Sequence, residues 1–358
     1  MKTSNRRIPS VATSRFIAGL APLLLSLAVN QAYAADRTVT GASGAVGAPG
    51  TETAPNGGAG GVAPNLTDTS LTGGAFNRLT LTGGAGGNGG TGLMPAVLDP
   101  DSDDCRNQGI CQYSPGGLGG NGGAGAAALA RVYAGALTGG AGAEANVFGG
   151  NGGQLGAADL FVFNMDPTLS NAGAGGNASS FASASALSGA VSARAYAAGG
   201  NGGDAVVLAA GRGGDGGKAT ASASAYSVTG NVSVLAQATG GNGGSANNIN
   251  APAGAGAAVY LENMVKGATR GVLSLLQHAA GGNGGGVNFG GGPQGQPGQP
   301  ANNAGGDAGS VLRVVDKQAA ALKGTVTAKG GNAGEYTETA QAAAGNARAE
   351  LYLTSNRA

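Results

Sequence analysis

Aspartate is the residue type that clusters most suggestively for chemistry in this sequence. Asp99, Asp101, Asp103 and Asp104 fall within one short run, with Cys105 and Cys111 directly after it. Carboxylates this close repel one another unless water solvates them or a cation bridges them. Alternating aspartates also occur in calcium loops, so Ca2+ is the one cofactor the sequence suggests, held by Asp99, Asp101, Asp103 and Asp104. The spacing is not that of an EF-hand. Asp104 stands where the loop needs its glycine, and Ile110 stands where it needs its bidentate glutamate. A solvated acidic loop is the plainer reading. An isolated cysteine pair in an exported chain closes a disulfide, and Cys105 with Cys111 would staple a small loop there.

Other chemistry finds little footing. His278 is the sole histidine, and no nucleophile motif or nearby aspartate completes a triad around it. No GxSxG, HExxH or paired CxxC occurs. The glycine blocks lack the Lys-Ser/Thr of a phosphate loop and no βαβ unit surrounds them. The stretch from Gly199 to Val207 fits one calcium-roll nonapeptide, but that roll needs the motif in tandem. Thr38/Thr40, Thr80/Thr82 and Thr325/Thr327 resemble the ladders of ice-binding solenoids, yet they are few and scattered, as ordinary strand-face threonines are. The sequence therefore predicts no enzyme.

The elements that carry these residues are repeats. Blocks of the form Gly-Gly-Asn/Asp-Gly-Gly recur at Gly149–Gly153, Gly199–Gly203, Gly213–Gly217, Gly240–Gly244 and Gly281–Gly285, with longer copies at Gly83–Gly90 and Gly116–Gly123. Their central residues step by roughly 25 residues in several places, with shorter and longer units between. Between blocks the chain alternates small and polar residues: Ala182, Ala184 and Ala186 against Ser183 and Ser185, then Val191, Ala193, Ala195 and Ala197 against Ser192, Arg194 and Tyr196. A period of two means strands. Alanine is a poor strand former, so close approach of two small-residue faces must compensate. The reading is an all-β, irregular β-solenoid-like repeat of short Ala/Ser/Val strands. Thr229-Gly230-Asn231 turns one corner and Gly-Gly-Asn-Gly-Gly turns the other, glycine reaching φ > 0 freely and asparagine tolerating the left-handed region. Two alternatives stand beside it: layers of polyglycine-II helices, and a partly disordered chain.

Composition agrees. Of 358 residues 75 are glycine, aromatics are 4%, charged residues 10%, and there is no tryptophan, so an ordinary oily core is hard to build. A formal net charge of +1 gives no basic field for nucleic acid. Residues 1–34 read as a cleavable signal peptide: Lys2, Arg6, Arg7 and Arg15 are basic, Phe16 to Val29 is apolar, and Ala32-Tyr33-Ala34 is a cleavage site. No integral membrane segment is expected after cleavage. The remaining layout is a Gly/Ala/Pro-rich leader (35–70), a glycine-rich β-repeat region (71–285), a flexible Gly/Pro/Gln insertion (286–303), and C-terminal repeats (304–358) ending in a capping strand, Ala347 to Leu353. Tyr260 to Leu276, with its larger apolar residues, fits strands or a short helix.

The Gly-Gly-X blocks, GGAGGNGG at Gly83–Gly90 above all, resemble the glycine-rich PGRS domains of mycobacterial surface proteins, and also the Gly/Ala/Ser repeats of exported bacterial adhesins. Neither the helical N-terminal domain of the PGRS family nor a C-terminal translocator barrel is expected from these residues. The resemblance implies an exported surface repeat protein. The expectation is a non-enzymatic structural protein of the cell surface or extracellular matrix acting by repeat stacking and self-association. The alternative is an adhesin whose repeat stalk presents the acidic loop (Asp99 to Pro115) or the Tyr260–Leu276 segment to a host or matrix ligand.

Overall fold

The structure, a computed structural model, describes residues 35–54, 56–70, 75–93, 117–157, 170–205, 211–246, 252–287, 303–335 and 342–355. Residues 1–34, the acidic run with both cysteines, and 288–302 lie outside them.

Strands account for every regular element, and no helix occurs among the described residues. They are β1 (Ala35–Thr40), β2 (Leu66–Ser70), β3 (Phe76–Thr82), β4 (Ala128–Ala136), β5 (Ala141–Phe148), β6 (Ala178–Ala186), β7 (Val191–Ala198), β8 (Ala219–Ser227), β9 (Val232–Thr239), β10 (Val259–Glu262), β11 (Val265–Ala268), β12 (Val272–Ala280), β13 (Ala308–Asp316), β14 (Ala321–Lys329) and β15 (Ala347–Ser355). One layer is a seven-stranded sheet in the order β1-β3-β5-β7-β9-β12-β14. The other is split into β11-β8-β6-β4-β2 and β10-β13-β15. Every pairing between these strands is parallel and in register, as between Val191 and Val232 or Ala178 and Ala219. The chain thus winds as a flattened, solenoid-like coil, one strand per layer per turn. The Tyr260–Leu276 segment is strands, not a helix.

The tight corner was legible. Thr229-Gly230-Asn231 links β8 to β9, as the residues around Gly139 and Gly189 link the preceding pairs. The second corner was not. The Gly-Gly-Asn-Gly-Gly blocks are straight segments that prolong each strand. Among the described residues positive φ occurs at Gly139, Gly189 and Asn263, none of them in such a block. Their backbone N–H groups repeat every third residue instead. Gly149 donates to Ala198 at 2.8 Å and Gly152 to Asn201 at 2.8 Å, both in the next coil of the same layer. Gly150 donates to Ala126 at 2.9 Å and Gly153 to Gly123 at 2.8 Å, both in the opposite layer. Three residues per turn with lateral hydrogen bonds is the geometry of packed polyglycine-II helices. Each coil thus runs from a strand into a glycine segment whose hydrogen bonds repeat every third residue.

Glycine is needed there for space. A Cβ on Gly150 would lie 1.9 Å from the carbonyl oxygen of Gly84, and one on Gly200 would lie 2.0 Å from that of Gly150. Alanine enters at the junctions with the strands, as at Ala126 and Ala257.

Between the two strand layers the core is thin. Ala143, Ala145, Ala193, Ala195, Ala221 and Ala223 are buried in its middle, while leucines (Leu79, Leu81, Leu273, Leu275) fill the ends. The Ser180 hydroxyl of one layer donates to the Ala145 carbonyl of the other at 2.8 Å, so the backbones approach within reach of one short side chain. Gln277 marks the place where the second layer splits between β10 and β11. It is fully buried, accepts from Met264 N–H at 2.8 Å and donates to Leu261 O and Ser310 Oγ at 3.0 Å each. The amide satisfies backbone groups that the jog at Asn263 takes out of the ladder.

Candidate functional site

The asparagines and aspartates of the blocks have a structural task. In the three-residue repeat the first two N–H groups find carbonyls, and the third needs another acceptor. The side chain one coil back supplies it. Asn201 N–H donates to Asn151 Oδ1 at 2.9 Å, Asn242 to Asn201 at 2.9 Å, Asn283 to Asn242 at 2.8 Å and Asn332 to Asn283 at 2.8 Å. Aspartates serve identically: Asp204 accepts from Ser245 N–H at 2.7 Å, Asp215 from Ala255 at 2.9 Å and Asp307 from Asn346 at 2.7 Å. The expected role in left-handed corners is replaced by this ladder. The carboxylate of the calcium-roll match, Asp204, is one of its rungs.

The remaining predicted residues are dispersed. Asp99, Asp101, Asp103, Asp104, Cys105 and Cys111 lie outside the described residues. Among the described residues no group of three or more His, Cys, Asp or Glu is placed to hold a metal ion. His278 stands on the outer face of the seven-stranded sheet, its Nδ1 against the Thr327 hydroxyl and its strand neighbours Gln237 and Thr327. Thr38 and Thr40 are in register with Thr80 and Thr82. The next strand breaks this grid with Asn146 and Phe148.

That outer face carries the most varied side chains. Asp36, Arg78, Glu144 and Arg194 occupy successive strands at one register position. Arg78 meets Glu144 at two points, 3.2 and 3.3 Å, and Asp36 at 3.5 Å. Burial pushes the Glu144 carboxyl up, but hydrogen bonds from Asn146 and Arg78 and the charges of Arg78 and Arg194 hold it below the ordinary glutamate value. The Arg78 guanidinium is raised, chiefly by its hydrogen bond to Glu144. Two open hollows flank this row. One, about 390 Å³, lies where Gly142 leaves room beside the Phe76 ring, walled by Arg78, Glu144 and Arg194. The other, about 350 Å³, lies between Phe148 and Tyr196 with Asn146 and Gln237 at its rim. Aromatic faces beside amides and a charged row suit contact with an extended polar ligand. Sequence reading missed this surface because its members are tens of residues apart. Only the coil register brings them together.

No family model matches this sequence, and no curated protein matches it. A solved structure with partial likeness is described as a nine polyproline type II helical bundle springtail antifreeze protein from Granisotoma rainieri. It is 25% identical over 52% of this chain and 82% of its own, with a TM-score of 0.14. A TM-score that low supports no inference about fold or function.

Proposed function

We propose that this chain is a non-enzymatic structural protein of the cell surface or extracellular matrix: a rigid slab that acts through its broad outer face. The glycine lattice carries the reading. Backbone hydrogen bonds run within and between both layers, and the side chains are left to the faces. Such a construction holds shape while offering flat surfaces and shallow hollows. The contact surface is the outer face of the seven-stranded sheet around Phe148 and Tyr196, and its ligand an extended polar polymer of the cell exterior. The reading also takes residues 1–34 as a cleaved export signal.

Self-association is the second reading, favoured by one observation: β1 and β14 are the outermost strands of the seven-stranded sheet, and unpaired edges template further strands. Electron microscopy and a cell-binding assay separate the two. Under the slab-face reading, purified protein stays particulate and binds cells or extracellular polymer. Phe148→Ser with Tyr196→Ser then abolishes binding while leaving the melting temperature within about 2 °C, as for surface changes. Fibres in the absence of any ligand would replace that reading with self-association. Loss of binding on deleting residues 99–115, with the double variant still binding, would move the contact to the acidic loop.

A further inference from the structure

Seven asparagines in this sequence are followed directly by glycine: Asn56, Asn88, Asn121, Asn151, Asn201, Asn242 and Asn283. Asn-Gly is the dipeptide most prone to spontaneous deamidation, because glycine has no Cβ to shield its own nitrogen. That nitrogen loses its proton and bonds to the asparagine Cγ. Nδ2 leaves as ammonia, and a cyclic imide remains. Water then opens the imide. Attack at the side-chain carbonyl gives aspartate. Attack at the main-chain carbonyl gives isoaspartate, in which the backbone runs through the former side chain.

The lattice holds all seven in one arrangement. Each pair grips a single residue of the next coil with two bonds. The glycine N–H donates to that residue's carbonyl, and the asparagine Oδ1 accepts from its N–H. Asn56-Gly57 grips Leu118 at 2.7 and 2.9 Å, Asn88-Gly89 grips Gln154 at 2.9 and 2.9 Å, and Asn121-Gly122 grips Asn171 at 3.0 and 2.8 Å. Asn151-Gly152 holds Asn201, Asn201-Gly202 holds Asn242, Asn242-Gly243 holds Asn283 and Asn283-Gly284 holds Asn332, with both kinds of bond at 2.8 to 2.9 Å. Ring closure needs both atoms free. A base that takes the glycine proton must first break its bond to the carbonyl, and swinging Cγ onto the nitrogen breaks the Oδ1 bond.

We infer that the seven Asn-Gly pairs are modification sites that the folded coil keeps closed, and that local unfolding opens them to a one-way change. Aspartate itself fits a rung, as Asp204, Asp215 and Asp307 show. Isoaspartate does not. It adds a main-chain atom inside the three-residue repeat, and each later N–H of that segment falls out of register with its carbonyl. Asparagine serves despite its lability because Asn151, Asn201, Asn242, Asn283 and Asn332 stack in one column. Carboxylates in that column, about 4.8 Å apart as adjacent strands are, would repel one another. The inference does not depend on what the outer face binds.

Peptide mapping by mass spectrometry, with isoaspartate read by enzymatic methylation, tests this at mildly alkaline pH. In the native protein each site should deamidate about thirtyfold or more slower than in the same protein in concentrated urea, the factor set by breaking two hydrogen bonds. In urea the seven should react together, while Asn177, Asn332 and Asn346, each followed by alanine, lag behind them. Gly200→Ala, whose Cβ meets the Gly150 oxygen at 2.0 Å, should speed native deamidation at Asn151 and leave Asn283 unchanged, the gain being about fivefold for one bond lost. Protein held in urea should lose its capacity to refold in step with its isoaspartate content. Native rates less than about fivefold below the urea rates, weaker protection than one hydrogen bond gives, would overturn the inference. So would refolding that isoaspartate leaves untouched, or Asn151 and Asn283 responding equally to Gly200→Ala. If that variant fails to fold, the ratio of native to urea rates decides.

Discussion

Gly200→Ala tests the lattice most directly. Its new Cβ would sit 2.0 Å from the Gly150 oxygen and 2.5 Å from the Gly150 carbon. Both obstacles are backbone, so no rotamer change relieves them, and coils at 149–153 and 199–203 must part by about 1 Å to restore an ordinary contact. Three bonds cross that gap: Gly149 N–H to Ala198 O at 2.8 Å, Gly152 N–H to Asn201 O at 2.8 Å, and Asn201 N–H to Asn151 Oδ1 at 2.9 Å. Lengthening them costs about 1 kcal/mol each, with about 1 kcal/mol or more of residual strain. The entropy lost by the unfolded chain returns about 0.5–1 kcal/mol. The net destabilisation is about 3 kcal/mol, or a melting point lower by roughly 6 °C in a chain of this size. Thermal unfolding followed by circular dichroism measures it, with Ser245→Ala, on the outward position of a neighbouring block, as the unaffected control. A Gly200→Ala protein melting within about 2 °C of the parent would refute the close-packed lattice.

Four further outcomes follow from the same geometry. Asn242→Ala removes the acceptor for Asn283 N–H and should cost about 1 kcal/mol in urea unfolding; Asn242→Asp keeps that acceptor and should recover most of the loss. Gly139→Ala, at φ +81° with open space around it, should lose only the left-handed penalty of about 1–2 kcal/mol. Gly189→Ala, at φ +86° with its new Cβ 2.4 Å from the Gly139 oxygen, should lose clearly more, and equal melting points for the two would contradict the stacking of these turns. Gln277→Leu orphans the Met264 N–H and the Leu261 carbonyl and should cost about 2–4 kcal/mol, read by chemical denaturation. Glu144 has a folded pKa below its ordinary value, so its contribution is present above the unfolded pKa of about 4.3 and is lost as pH falls through the folded value. The stability gap between the parent and Glu144→Gln should therefore shrink from pH 6 to pH 3, and a gap that stays constant would remove the Arg78–Glu144 pair as its source.

The local grammar was written in the chain. Alternation of Ala182–Ala186 against Ser183 and Ser185 set period-two strands, and their small residues required a narrow gap between layers, which Ser180 and Ala145 realise. The turn at Thr229-Gly230-Asn231 was equally plain. The glycine blocks misled because glycine answers two different demands, freedom at φ > 0 and the absence of a Cβ, and composition does not say which is in force. Only the neighbours decide. The Gly150 Cα faces the Gly84 carbonyl across a separation of 66 residues, and Asn201 completes a bond to a residue 50 positions earlier. The Arg78–Glu144 pair and the Phe148–Tyr196 hollow follow the same rule. Sequence fixes what each coil can tolerate along itself, because period and side-chain size are local. What each coil presents to the next depends on register between distant segments, and packing of the whole stack sets that.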